Sequence, residues 1–377
     1  MLNNGSRAVY VEVAEEAVDK IQIALDKMLG VQVHGHHEIQ AFQGLRHAYV
    51  QITGDSEVFG RLPAYKMRSQ EAIIAADFPK LLANSLTKRV VQDYRETSFR
   101  EDRLISFIGS ATSFKPQNAV RVGYFGDLET IDPEAGDYNE AAKPGEEGVE
   151  FEIATRGNIL TVTRRAILSD DQNGITRRVN GWGRAARRTL ARYLWGFYLN
   201  NATYGGDSAA WFAAGHGNLI TDVISPAKIA VAISALMDMT EPDSGEKLGL
   251  DEKKGMNLTL VVGHALWWTA RTINRAEYLD AALTPNPVHQ MFGPNEERIA
   301  VLPLETDAAN WGVLCDPKDR NLLEVRFLMG QQEPEIFVAN NPGVGQMLKA
   351  DKLQFKVRHE YGADLLDYRN GVKSVVP

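Results

Sequence analysis

The chain has 377 residues, a net charge of −8, 44% hydrophobic and 24% charged residues and a single cysteine, Cys315. That length supports two or three domains or one large elaborated domain, and the composition is that of a folded protein, not a disordered one. One cysteine excludes a disulfide framework and a multi-thiolate site and fits folding in a reducing cytoplasm. The N-terminus lacks the apolar core of a signal peptide, no run of 18 apolar residues occurs, and no basic excess marks a dedicated nucleic-acid binder, so neither membrane insertion nor secretion is expected.

Taken in chain order, Ala14, Val18, Ile21, Leu25 and Met28 repeat at four-three spacing and predict a helix over 11–29 with one apolar seam. Alternation around Tyr49, Val50 and Ile52 predicts a strand in 47–60 with a turn at Thr53-Gly54-Asp55, and 71–94 reads as helix. Residues 1–110 are expected to form an arm.

Strand-like runs at 120–131 and 149–162 flank a segment too rich in Pro, Gly and acid to be a strand or helix itself. It is expected to be the projecting tip of a long hairpin with no packing surface of its own. The tip carries Asp132, Glu134, Asp137, Glu140, Glu146 and Glu147 against one Lys143.

Asp170 and Asp171 then supply N-cap and first-turn carboxylates for a helix running to about 200. At 1.5 Å per residue this rod is on the order of 40 Å long. Nine arginines fall between 156 and 192 (Arg156, Arg164, Arg165, Arg177, Arg178, Arg184, Arg187, Arg188, Arg192) against two acids, Asp170 and Asp171. This basic face admits three readings: a solvated surface, a DNA-facing patch, or a docking face for the acidic segments of neighbouring copies. The acidic ribbon just upstream favours the third, because charge complementarity registers such contacts. Helices at 226–239 and 265–276 then alternate with strands at 258–262, 298–302, 311–314 and 323–328, and two short strands, 353–361 and 363–368, close the chain.

Local catalytic motifs fail. His37-Glu38 would need a second histidine where Ala41 stands, and Gly343-Val344-Gly345 meets Leu348 where a dinucleotide fingerprint needs a small residue. Neither a Walker lysine nor a Gly-x-Ser-x-Gly elbow is present. His34, His36 and His37 read as a solvated loop, and His216 in Ala-Gly-His-Gly-Asn as structural, with no carboxylate placed beside it by spacing. No catalytic residue, cofactor or metal is expected.

Asp77-Phe-Pro-Lys-Leu-Leu82, Phe151 to Arg165 leading into Ser169-Asp-Asp171, Leu199-Asn-Asn201 with Phe212 to Leu219, Phe327-Leu-Met-Gly-Gln-Gln-Glu-Pro334 and Val357-Arg-His-Glu-Tyr-Gly-Ala363 ending near Asp367-Tyr-Arg369 together resemble the major capsid proteins of tailed phages. The resemblance is closest to Mu-like and protease-fused head subunits. It implies an α+β, Hong Kong 97-like fold: N-terminal arm 1–110, extended hairpin 111–165, peripheral domain 166–221 with a spine helix, axial domain 222–345, and C-terminal strands 346–377 returning to the peripheral domain. It also implies hexamers and pentamers in an icosahedral shell around double-stranded DNA, with a portal and decoration or scaffolding proteins as partners, and assembly in the host cytoplasm. On this reading the acidic tip and the arginines Arg164, Arg165, Arg177, Arg178, Arg184, Arg187, Arg188 and Arg192 are subunit-interface residues. Some relatives cross-link a loop lysine to a distant asparagine; Lys143 is a candidate loop donor, but neither the acceptor nor the nearby acid is identifiable and no cross-link is expected. The arm 1–75 is expected to be retained and to clamp neighbours. An encapsulin-like compartment and a soluble α/β oligomeric enzyme are the alternatives, the first disfavoured by the long acidic tip.

Overall fold

The computed structural model describes residues 18–55, 78–123, 145–163, 174–241, 245–249, 257–280, 283–302, 305–339 and 352–377, with isolated positions 128, 130, 131 and 136; for 174–180 it describes the backbone alone. The fold is mixed α+β. The chain divides into two compact units built from interleaved stretches: Met1–Phe99, Thr155–Thr189 and Gln331–Glu360 in the first, Arg100–Ala154, Leu190–Gly330 and Tyr361–Pro377 in the second.

The first unit contains helices α1 (18–28), α2 (Leu45–Thr53) and α3 (Phe78–Glu96). Leu25, Leu45, Ala48, Ile52, Leu82, Leu86 and Val90 share one buried cluster with Val162 and Phe355. Residues expected to form an arm therefore take part in a buried core, together with residues from later in the chain. The expected strand in 47–60 is instead α2: Leu45, Ala48 and Ile52 recur at helical spacing and are buried, and the helix stops where Gly54, at φ 69°, donates its N–H to the Val50 carbonyl. The turn position was legible; the period before it was not. Strand β4 (Ala154–Thr163) pairs with β11 (Lys352–Leu365), and β10 (Glu335–Ala339) lies antiparallel to the first half of β11, from Glu335 opposite Arg358 to Ala339 opposite Gln354.

In the second unit β1 (Ile105–Ala111) runs parallel to β9 (Leu323–Leu328), whose other edge takes the second half of β11 antiparallel, Tyr361 opposite Phe327 and Leu365 opposite Leu323. A further sheet has the order β5 (Leu219–Ile220), β12 (Gly371–Ser374), β8 (Trp311–Leu314), β6 (Thr259–Gly263) and β7 (Ile299–Leu302). Strands β6, β8 and β12 are buried at every position; β6 and β8 read as nearly continuous apolar runs rather than alternating ones, whereas β12 buries Lys373 and Ser374 as well. Helix α5 (Pro226–Asp238) packs on this sheet through Ile229, Ala232, Ile233 and Leu236. Its start follows from local chemistry: Ser225 accepts the Lys228 N–H at 3.3 Å and Pro226 occupies the first turn, where its missing N–H costs nothing. Helix α6 (Trp267–Arg275) adds Ala270 and Ile273 to the same core. The long helix α4 (Gly174–Leu199) begins in the first unit and ends in the second.

Three expected strands are corrected. The run 149–162 is two strands, β3 (Glu146–Phe151), which pairs with β2 (Gln117–Val122), and β4, which pairs with β11. The C-terminal strands 353–361 and 363–368 are one, β11, followed by β12. Gly362 suggested a break, yet the strand runs through it opposite Arg326, and a β carbon there would lie 2.3 Å from the Glu152 carbonyl oxygen. The glycine permits close backbone approach.

Candidate functional site: charged faces and a buried ion network

Strands β2 and β3 form the base of the expected hairpin, antiparallel with Arg121 opposite Glu147, Val120 opposite Gly148 and Val122 opposite Glu146. Strand alternation gives the two faces different fates. Ala119, Arg121, Val149 and Phe151 are buried on one face, while Val120, Val122, Glu146 and Glu150 are exposed on the other. The hairpin base therefore packs on its own unit, contrary to the expectation that it lacks a surface there.

The inward face holds an ion network. Arg121, 4% exposed, donates from Nε to Asp367 Oδ2 at 2.6 Å, from Nη2 to Glu241 and from Nη1 to Glu147 at 3.4 Å. Arg369, equally buried, donates to Asp367 Oδ1 at 2.9 Å and Glu147 Oε2 at 3.1 Å, and its Nε reaches the Thr240 carbonyl at 3.1 Å. Two guanidinium groups thus face three carboxylates. Burial raises the Asp367 carboxyl above the usual carboxylate range, and the charges of Arg121 and Arg369 counter that rise without cancelling it. The network joins β2, β3, the segment after α5 and the turn before β12.

Beside it, the Arg369 guanidinium lies 4.2 Å over the Tyr368 ring, and that ring stacks on His216 at 3.7 Å. His216 Nε2 is 2.7 Å from Asp207 Oδ2 and its Nδ1 is 2.9 Å from the Trp211 carbonyl. Spacing alone named no acid for His216; the loop fold supplies Asp207. Asn218 donates to the Trp211 and Tyr368 carbonyls and accepts the Ala213 N–H, so the Ala-Gly-His-Gly-Asn segment organises the loop after α4. Lys373, buried on β12, donates to the Tyr198 carbonyl at 3.0 Å and to that of Leu199 at 3.5 Å, satisfying the C-terminal turn of α4. Among the described residues no group of three or more His, Cys, Asp or Glu is placed to hold a metal ion.

Of the expected interface acids, Asp132, Glu134, Asp137 and Glu140 lie outside the described residues, as does Lys143. Glu146 is exposed; Glu147 is corrected, since strand parity turns it inward onto Arg121 and Arg369. Of the arginines, Arg164 and Arg165 lie outside the described residues, as do the side chains of Arg177 and Arg178 and the capping pair Asp170 and Asp171. Arg184, Arg188 and Arg192 are exposed along one row of α4. Arg187 is corrected: helix phase turns it inward, and its guanidinium lies 5.0 Å over the Tyr94 ring in the first unit.

The family model described as "Phage capsid protein" matches residues 146–374. No curated protein matches the chain. Among solved structures, the capsid of a native GTA particle is similar at 14% identity and a TM-score of 0.45, covering 74% of this chain and 91% of that one. The capsid of cyanophage P-SCSP1u is similar at 10% identity and 0.45, covering 72% and 86%. A virus-like particle from Pyrococcus furiosus is similar at 8% identity and 0.42, covering 77% and 98%.

Proposed function

The chain belongs to the phage capsid protein family, and on that premise we infer that it is the major head subunit, assembling as hexamers and pentamers into an icosahedral shell around double-stranded DNA. The family match over 146–374 carries this reading, since it takes in the hairpin strand β3, the rod α4 and every strand of the β5-β12-β8-β6-β7 sheet. The subunit is in this reading Hong Kong 97-like. Residues 111–165 are its extended hairpin, 166–221 its peripheral domain with α4 as spine, 222–345 its axial domain and 346–377 its returning strands. The apolar core shared by α5, α6, β6 and β8 supports the axial assignment. Residues 1–110 are a folded arm whose described helices carry a buried cluster.

A portal at one vertex and scaffolding or decoration proteins complete the particle, and the shell assembles in the host cytoplasm. Any contact with the enclosed DNA is without specificity, since a net charge of −8 gives the chain no grip on phosphates. Electron microscopy of the protein expressed alone and with its neighbouring head genes tests the reading. Closed icosahedral particles are expected; a monomer or small closed oligomer by light scattering, under every assembly condition, overturns it.

A further inference from the structure

The loop between α4 and β5 packs on the inward face of the hairpin base. A β carbon on Gly205 would lie 2.9 Å from Val149 Cγ1, and Val149 is buried on β3. Next to it the Tyr204 ring meets the Tyr368 ring edge-on at 5.5 Å. The turn is closed by Ser208, which donates its N–H to the Tyr204 carbonyl at 2.9 Å, and by Tyr204, which donates to the Ala209 carbonyl at 2.7 Å. Asp207 stands at its tip and accepts the Ala209 N–H at 2.8 Å.

His216 faces that tip. Its side chain is 6% exposed, and both ring nitrogens meet acceptors. Nδ1 lies 2.9 Å from the Trp211 carbonyl, which also takes the Asn218 amide, and Nε2 lies 2.7 Å from Asp207 Oδ2. A carbonyl and a carboxylate have nothing to donate, and a neutral imidazole has only one N–H. Filling both bonds takes a proton on each nitrogen. The surroundings agree with that count. The face of Tyr368, on which the ring stacks at 3.7 Å, favours a cation. Burial would raise the Asp207 carboxyl, yet the Ala209 N–H and His216 hold it below the usual carboxylate range, so it is the acceptor of the pair. The other titratable or charged groups nearby are Tyr204 on the same loop, Asp367, Tyr368 and Arg369 in the turn before β12, and Glu147 on β3. Of these Arg369 opposes the added charge, and Asp367 and Glu147 favour it.

We propose that His216 is a proton-operated clasp: with a proton on both ring nitrogens it ties Asp207, and with it the turn 204–209, down on Val149 of the hairpin base, and on losing one proton it lets the turn go. The sign follows from the donor count. A histidine exchanges its second proton between about pH 5 and 8. On the acid side both bonds are made. On the alkaline side one nitrogen turns a lone pair toward an acceptor, and Asp207, whose side chain is 42% exposed, is the partner free to move into water. The hairpin base thus gains or loses a packing partner with pH.

Nuclear magnetic resonance on unassembled subunits tests it. At about pH 5.5 both His216 ring nitrogens are expected to carry a proton, the signals being assigned by their loss in His216→Gln. Between about pH 5.5 and about pH 8.5 the amides of Tyr204, Ser208 and Ala209 are expected to lose protection at least about tenfold after correction for intrinsic exchange, and the Val149 methyl signals to shift. Asp207→Asn lifts the requirement for the second proton, since its amide can donate to a neutral ring. In that variant and in His216→Gln, protection is expected to stay level with pH. Asp207 is exposed, so Asp207→Asn serves alone if His216→Gln does not fold.

A singly protonated ring at the acid end, wild-type protection that does not change with pH, or a pH dependence that survives in Asp207→Asn overturns the clasp. So do Val149 methyls that stay unmoved while the loop amides open, which would separate the turn from the hairpin.

Discussion

Gly183 in α4 and Val90 in α3 stand so close that a β carbon on Gly183 would lie 2.3 Å from the Val90 carbonyl oxygen and 2.6 Å from the Asp93 β carbon. Backbone blocks relief, so Gly183→Ala must push two helices of the first unit apart, at a cost of about 1–3 kcal/mol. Two residues earlier in the same helix, Gly181 has open space around it. Gly181→Ala should stabilise by about 0.5–1 kcal/mol through helix propensity alone. Urea melts of unassembled subunits should show opposite signs for the two substitutions; equal effects would mean the close approach is absent.

Arg121 is the hub of the ion network, and removing it leaves three carboxylates around Arg369 alone. Arg121→Met is expected to cost about 3–5 kcal/mol. Glu241→Gln keeps an acceptor for Arg121 and equalises the charges at two of each sign, so it should change stability by only about 1 kcal/mol. Paired denaturation curves check the contrast.

His359 is buried in the first unit, its Nε2 3.0 Å from the Gln332 carbonyl and its ring edge-on to Tyr94 at 5.5 Å. Burial, aided by the charges of Arg156 and Arg187, lowers its pKa to about 4. The folded chain then binds fewer protons than the unfolded one between pH 4 and about 6.5, so stability is full above 6.5 and falls as the pH drops toward 4. The loss approaches about 3 kcal/mol. His359→Gln, which keeps a donor for Gln332 but does not titrate, should flatten this part of the pH–stability profile relative to wild type.

Lys373→Met removes the ammonium that serves the Tyr198 and Leu199 carbonyls while keeping an unbranched side chain. A loss of about 1–3 kcal/mol is expected. Faster amide exchange in the last turn of α4 should accompany it, and unchanged exchange there would argue against the capping role.

Cys315 is 1% exposed and its thiol is pushed up to about 11 by burial. At pH 8 it should react with a disulfide reagent at least about a hundredfold more slowly in the native chain than in urea. Rapid native labelling would show that the β8 region opens readily.

What could be read in advance depended on how local the determining physics was. Helix α5 starts at Pro226 as expected, and Trp311–Leu314 and Leu323–Leu328 are strands at the expected residues because the first is a continuous apolar run and the second alternates strictly. Strand β10 was missed: its burial does not alternate cleanly, so it offers no period to detect. Tyr49, Val50 and Ile52 suggested a strand because aromatic and β-branched residues favour one, but burial of Leu45, Ala48 and Ile52 decided for helix. The sign of the charges on the hairpin and rod was plain, but their direction was not. Glu146 and Glu147 differ only by strand parity, and Arg187 and Arg188 only by helix phase, and both depend on packing. The ion network was invisible because Arg121, Glu147, Glu241 and Asp367 meet only in three dimensions.

Strand β12 lies between β5 and β8, with Lys373 opposite Leu219 and Gly312. An inner position in a sheet is thus filled by residues that leave the ribosome long after both neighbours. Until residues 371–374 emerge, β8 offers an unmatched edge and the rod lacks its lysine cap, so this sheet and the end of α4 are completed together and last.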